Sequence, residues 1–246
     1  MDHLKRRKSD RRVQAFVERC LDRLEERCGP VYWKVTTAGI ADLRPFTWNE
    51  FDVTVGYTYV VDLDASKEAV LERFSGDARR NVQSTPDAVA VDVAGREAIE
   101  PIIDQVTARY ESQGRPFHLD ASYVRALYDA LPAGSVRPYV CRVDGEFRGG
   151  ILVLASEDTL FRWQGGVKLE ATDVPVNDLL DWQIIADGID DGSERYDLVG
   201  AGVPSINRYK AKFNPRLETH HTITRATLGV DRLVEGYERA FDRGTR

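Results

Sequence analysis

Several features are scarce in this 246-residue chain. No apolar run approaches the roughly 18 residues that a membrane-spanning helix needs, so no span is expected. The three cysteines, Cys20, Cys28 and Cys141, show neither metal-ligand nor redox spacing. Cys20 and Cys28 fall about two turns apart on an expected helix, too far to bridge, and all three read as small core side chains. Basic charge is also short. A net charge of −6 is opposite to the basic surface that general nucleic-acid binding requires. The basic start, residues 5–12, reads as a solvated helix end. It has no apolar core behind it and so is not a secretory signal, which makes the cytoplasm the expected location. The Ser-His-Asp spacing and the G-x-S-x-G elbow of nucleophilic hydrolases are missing. So is metal-ligand spacing, and no metal is expected.

Lysine is rare as well: seven stand against twenty-seven arginines. Two of the seven, Lys210 and Lys212, nevertheless sit one residue apart beside Arg208, in "INRYKAKFNP", just after the buried strand-like run "YDLVGAG". A cation past a strand end can stabilise an oxyanion or bind an acidic acceptor. Lys210 is therefore the leading catalytic candidate, with a solvated surface lysine as the alternative. On a helix Arg208 and Lys212 would point away from Lys210; each is a candidate phosphate or carboxylate contact.

The periodicities alternate between helix and strand. Residues 11–28 place Val13, Phe16, Val17, Cys20, Leu21, Leu24 and Cys28 on one helical face. Strands are expected at 31–37, 57–63 and 88–94, and a helix or broken helix pair at 66–83. A helix over 96–114 carries Ile99, Ile102, Ile103 and Val106 on one side. Asp120 can cap the next helix. "VRPYVCRV", "RGGILVLA" and "TLFRWQGG" then read as a meander, with "DG" marking a hairpin between the first two. A helix near 178–190, a strand near 195–199, the short Lys210 helix, a strand near 219–227 and a closing helix follow. This order predicts an α/β, or α+β, architecture with a mixed sheet. Ligands favour the point where such a sheet opens.

Four stretches carry a family resemblance: "YTYVVDLDASKEAVLERFSGDARRNVQ", "RVDGEFRGGILVLASEDTLFRWQGGV", "VPVNDLLDWQIIADGIDDGSERYDLVGAG" and "INRYKAKFNP". In order and spacing they resemble the FemAB/FemX-like aminoacyl- and acyltransferases of the GNAT superfamily, over most of residues 55–225. The resemblance implies a GNAT-like acyltransferase fold at 64–230, a truncated first GNAT-like domain at 1–63 and a C-terminal helix at 231–246. It implies transfer of an acyl or aminoacyl group to an amine by direct attack, with Lys210 of the aromatic-Lys-x-x-Phe segment as its catalytic cation. The donor would be an acyl-CoA or an aminoacyl-tRNA. Acetyl-CoA-using members carry an x-x-Gly-x-Gly pyrophosphate loop, whereas this chain has "QGGVKLEATDVPVND". FemAB-like enzymes are similar in lacking that loop, since they draw on charged tRNA. The acceptor would be a small-molecule or cell-envelope amine. Homo-oligomerisation through the incomplete first domain stays open.

Other candidate substrate contacts each have a plainer alternative. Trp163 and Gln164 end the third meander strand and face the expected cleft or the core. Asn177 contacts substrate or caps a helix. Asp197, if buried, needs Lys210 or Arg208 as a partner. Arg79 and Arg80 bind an anionic substrate or form a solvated face. His118, His220 and His221 are weak candidates for a base; the last two are adjacent on a strand and face opposite ways. A reading of a different class also stands: a truncated, non-catalytic remnant that binds a partner through an unpaired strand edge.

Overall fold

A strand covered by helices on both faces reads as an unbroken apolar run rather than an alternation, and "ILVL" at 151–154 is such a run. The computed structural model describes residues 5–29, 31–37, 39–167, 174–227, 229–230, 232–234 and 236. It divides into two compact units, residues 1–57 with 219–246, and residues 58–218.

The first unit contains α1 (Arg6–Cys28), β1 (Tyr32–Thr37), α2 (Arg44–Thr47), the opening part of β2 (Asp52–Asp62) and most of β8 (Arg216–Ala226). β1 pairs antiparallel with β8, from Tyr32 opposite Ala226 to Thr37 opposite His221. The strands expected at 31–37 and 57–63 both belong to the sheet but are not neighbours: β8 lies between β1 and β2, a long-range pairing that no local pattern announces. The core here is small. Leu21, Phe51 and Ile223 are buried, with Val17, Trp33 and Phe46 packed against them. The guanidinium of Arg225 lies 4.6 Å from the ring centre of Trp33 and 4.9 Å from that of Phe51. So small a core covers only the Val17–Leu21 line of α1. Phe16, Leu24, Cys20 and Cys28 are exposed, which corrects the wider buried face and the core role expected of the two cysteines. Cys141 is buried.

The second unit holds α3 (Lys67–Glu72), α4 (Gly76–Gln83), β3 (Val89–Val93), α5 (Ile99–Glu111), α6 (Ala121–Ala130), β4 (Val136–Val143), β5 (Glu146–Ala155), β6 (Thr159–Gly165), α7 (Val176–Asp190), β7 (Arg195–Asp197) and α8 (Pro204–Lys210). The strand order is β2-β7-β6-β5-β4-β3. β3 to β6 form an antiparallel run, and β7 joins β6 in parallel after the α7 crossover. The expected "DG" hairpin is present: Asp144 and Gly145 both have positive φ, 53° and 81°, the signature of a tight two-residue turn. Asp120 caps α6, its carboxylate accepting from the Ser122 N–H at 2.6 Å.

The sheet is covered on both faces. Tyr139, Cys141, Ile151 and Val153 pack with Leu180, Ile184 and Ile185 of α7 and with Val70 and Phe74. Their neighbours in sequence, Val140 and Leu152, turn the other way onto Ile99, Ile102 and Val124 of α5 and α6. The result is a mixed α/β fold. Among the described residues no helix is long and apolar enough to cross a membrane. The closing helix expected over 231–246 lies, but for residues 232–234 and 236, outside the described residues.

Gly150 shows how tightly α5 and the sheet meet. A methyl group there would sit 2.7 Å from the Tyr139 carbonyl oxygen on the next strand and closer still to Ile102. Overpacking of this kind costs typically about 1–3 kcal/mol. Gly150→Ala should lower unfolding stability by that amount in a denaturant titration. A change below about 0.5 kcal/mol, the range of neutral surface substitutions, would show that the two layers can part.

Candidate functional site

Two parallel strands make a cleft where their pairing stops. β6 and β7 are paired only from Thr159–Arg195 to Phe161–Asp197. Beyond Phe161, β6 runs on to Gly165, and its register against β5 shifts at Arg162–Gln164, leaving Trp163 as an extra residue. Such a bulge bends its strand. β7 instead stays with β2, where the Leu198 N–H donates to the Tyr59 carbonyl at 2.8 Å. The strands part, and a cleft of about 390 Å³ opens at their C-terminal ends.

A buried carboxylate organises its floor. Asp181 of α7 is fully buried, which an unpaired charge would not tolerate. It accepts from Arg162 Nε at 2.9 Å, Tyr196 Oη at 2.5 Å and Tyr209 Oη at 2.6 Å. Burial, and then the Asp181 charge, holds both phenols well above the usual tyrosine range, so both remain hydrogen-bond donors. Arg162 stays charged: burial is the largest single influence and would lower its pKa, but Asp181, Tyr196 and Tyr209 together raise it.

The walls carry cations. Arg109, Arg115, Arg162 and Lys210 line the cleft, and no carboxylate does so among the described residues. Arg109 Nη1 donates to the carbonyls of Gly165 and Gly166 at 3.1 and 2.9 Å. Burial, and to a lesser degree the Arg162 charge, lowers its pKa. Asn177 holds the loop leaving β6: its Oδ1 accepts from the Val167 N–H and its Nδ2 donates to the Val167 carbonyl, both at 2.8 Å. It is therefore not a helix cap. α7 already begins at Val176, so Asn177 stands within its first turn.

Lys210 is 6% exposed and lines the cleft. Its ammonium donates to the carbonyls of Val199 and Gly200 at 2.8 and 2.7 Å. Burial, and then the nearby Arg162, pushes its pKa down to about 8, with Asp181 and Asp197 opposing. Asp197 does not bond Lys210 or Arg208. It accepts from the Thr58 hydroxyl and from the Val199 N–H, because the chain turns back on it directly after β7.

The expected residues thus separate into two groups. Lys210, Trp163, Gln164 and Asn177 line one cleft. Arg208 is exposed and Lys212 is half-buried; neither lines it. Lys212 pairs with Asp178 at 3.0 Å and Asp77 at 3.2 Å. Arg79 of α4 donates to the Glu72 carbonyl at the end of α3, and Arg80 is exposed on α4. His118, His220 and His221 are not among the cleft residues. The sequence reading missed Arg109, Arg115, Arg162 and Asp181. A charged residue inside the apolar stretch "DLLDWQII" was the one available signal for the last.

Comparisons with known proteins follow from this geometry. Residues 73–211, more than half of the chain, match the family described as Acetyltransferase (GNAT) domain. No curated protein matches the sequence. Among solved structures the chain is similar to FemX at 13% identity, with a TM-score of 0.69 over 85% of this chain and 76% of that one. It is similar to L-PGS from Bacillus licheniformis at 13% identity and TM-score 0.60, over 94% and 78%. It is also similar to the C-terminal domain of a putative lysylphosphatidylglycerol synthetase from Agrobacterium fabrum, at 16% identity and TM-score 0.57, over 95% and 79%. Likeness at these identities speaks to the fold.

Removing one partner of a buried pair costs about 3–5 kcal/mol, whereas losing one neutral donor costs nearer about 1 kcal/mol. Asp181→Asn should therefore destabilise the protein by several times as much as Tyr196→Phe in the same urea titration. Equal effects would mean that Asp181 does not organise the floor.

Proposed function

We propose that this chain, which belongs to the acetyltransferase (GNAT) domain family, transfers an acyl or aminoacyl group from an anionic donor to an amine acceptor. The observation that carries this reading is the charge of the cleft. In a protein of net charge −6, four cations and no carboxylate line it among the described residues. That lining suits a donor whose handle is phosphate, which describes both an acyl-CoA and an aminoacyl-tRNA. The absence of an x-x-Gly-x-Gly loop in "QGGVKLEATDVPVND" favours the aminoacyl donor.

The step is direct. The amine nitrogen attacks the donor carbonyl carbon, giving a tetrahedral oxyanion. The C–O bond of an ester, or the C–S bond of a thioester, then breaks. The extra proton on nitrogen passes, through water, to the departing oxygen or sulfur, and the donor's alcohol or thiol is released. No covalent bond to the protein forms. An ammonium has three N–H donors, and Lys210 places two on carbonyls of its own chain. The third is available to the oxyanion or to a donor phosphate. Trp163 and Gln164, at the bulge, border the same space.

A thermal-shift series with acetyl-CoA, longer acyl-CoAs and charged tRNA tests the reading. A donor present at a hundredfold over its Kd adds about 2.7 kcal/mol, and Arg109→Gln and Arg162→Gln should each reduce that gain. If none of these donors raises the melting temperature, the reading fails.

The pH dependence follows from Lys210. Its ammonium is charged below about 8 and is lost as pH rises through that value. Donor phosphate stays anionic throughout this range. Affinity for the donor should therefore fall above pH 8, and Lys210→Met should flatten that fall. Titration calorimetry at pH 7 and pH 9 reads both; an affinity unchanged between them would remove Lys210 from contact with the anion.

A further inference from the structure

The chain leaving β7 takes a conformation that its sequence resists. Val199 has φ +53° and Gly200 φ +82°. Glycine adopts the left-handed region freely. A β-branched side chain there is strained, and such a residue persists only where its surroundings over-determine it. The other described non-glycine residues with positive φ are Glu50, Asp144 and Asn214, none of them β-branched.

The turn's polar groups show what imposes this. The Val199 N–H donates to Asp197 Oδ1 at 2.7 Å. The Gly200 N–H donates to Thr58 Oγ1 at 3.0 Å, and that hydroxyl donates in turn to Asp197. The carbonyls of Val199 and Gly200 both accept from Lys210 Nζ. A single ammonium thus bonds two successive carbonyl oxygens of the turn that holds the left-handed pair. Leu198 and Val199 form one wall of the cleft.

We infer that Lys210 and the Val199–Gly200 pair form a clamp, in which the buried ammonium holds a strained turn and so sets the wall of the cleft. Val199 is a positioning residue: its strain means that the turn keeps its shape only while the clamp is closed. Lys210 then acts in two ways, as a charge in the cleft and as the support of the wall facing it. The second does not depend on which donor the protein uses.

Amide hydrogen exchange on the full chain separates the two. Lys210→Met should raise exchange of the amides at 199–202 by about tenfold or more, with β5 amides unchanged as the check on folding. Lys212→Met should leave 199–202 as in the wild type. Asparagine accepts the left-handed region far more readily than valine, so adding Val199→Asn to Lys210→Met should return exchange to within about threefold of wild type. Val199→Asn alone, with Lys210 in place, should raise the melting temperature by relieving strain. Inorganic pyrophosphate serves as the anion probe: Lys210→Met should weaken its binding, and the double variant should recover part of the loss although no cation returns. The clamp is overturned if Lys210→Met leaves 199–202 protected, if Val199→Asn fails to restore protection, or if Val199→Asn alone leaves the melting temperature unchanged or lower. Should Lys210→Met loosen β5 as well, the melting temperature of Val199→Asn decides alone. Absence of pyrophosphate binding to the wild type would count against the anionic cleft and leave the exchange result to judge the clamp.

Discussion

The buried carboxylate of Asp181 is the constraint on which the cleft depends. A charge with no exposed surface must be met by donors that reach it from every side. Here those donors come from β6, from β7 and from α8, as Arg162, Tyr196 and Tyr209. One side chain on α7 therefore fixes the positions of three other elements. It does so where β6 and β7 stop pairing, so the strands can part without the floor losing its shape. A hydrophobic residue of similar size could fill the space, but it could not specify which way Arg162 points. The orientation of that guanidinium is the specific consequence of burying a carboxylate at this place.

The opening itself comes from unequal partners. β6 loses β7 after Phe161 and bends at its bulge. β7 keeps its bond to β2 through Leu198, and its turn is fixed to the same strand through Thr58. One side of the cleft is thus anchored to a sheet neighbour and the other to a helix, through the paired bonds between Asn177 and Val167. Neither wall relies on the other. That is the arrangement needed for a site that must stay open in the absence of ligand.

What the sequence revealed tracks how local each feature is. The meander, the "DG" turn, the Asp120 cap and the helix α7 were legible because each is written in residues adjacent in sequence. The placement of Lys210, Trp163, Gln164 and Asn177 on one cleft was approachable because they end or follow strands. Pairing of β1 with β8 was not legible, since it joins residues almost two hundred positions apart. Nor were Arg109 and Arg115, whose approach to the cleft depends on how α5 lies on the sheet. The face of α1 was over-read for a physical reason: periodicity reports which residues could be covered, whereas the size of the opposing surface decides how many are.

The cations of the cleft also act on one another. Arg162 depresses the pKa of both Arg109 and Lys210, in each case adding to the effect of burial. Like charges gathered in a partly desolvated space repel more strongly than they would in water, and Asp181 is spent on the floor rather than on the walls. Repulsion of this kind is tolerated only where other bonds hold the groups. Arg109 is held by two carbonyls, Arg162 by Asp181 and Lys210 by two more carbonyls. These three cations are thus each fixed by partners that orient them, and two of the three by partners that leave the charge unneutralised. An anion entering between them would relieve repulsion that the fold already contains, without any group having to move to meet it. For the anionic donor proposed above, recognition of charge would then rest on the folded state itself rather than on a change made on binding.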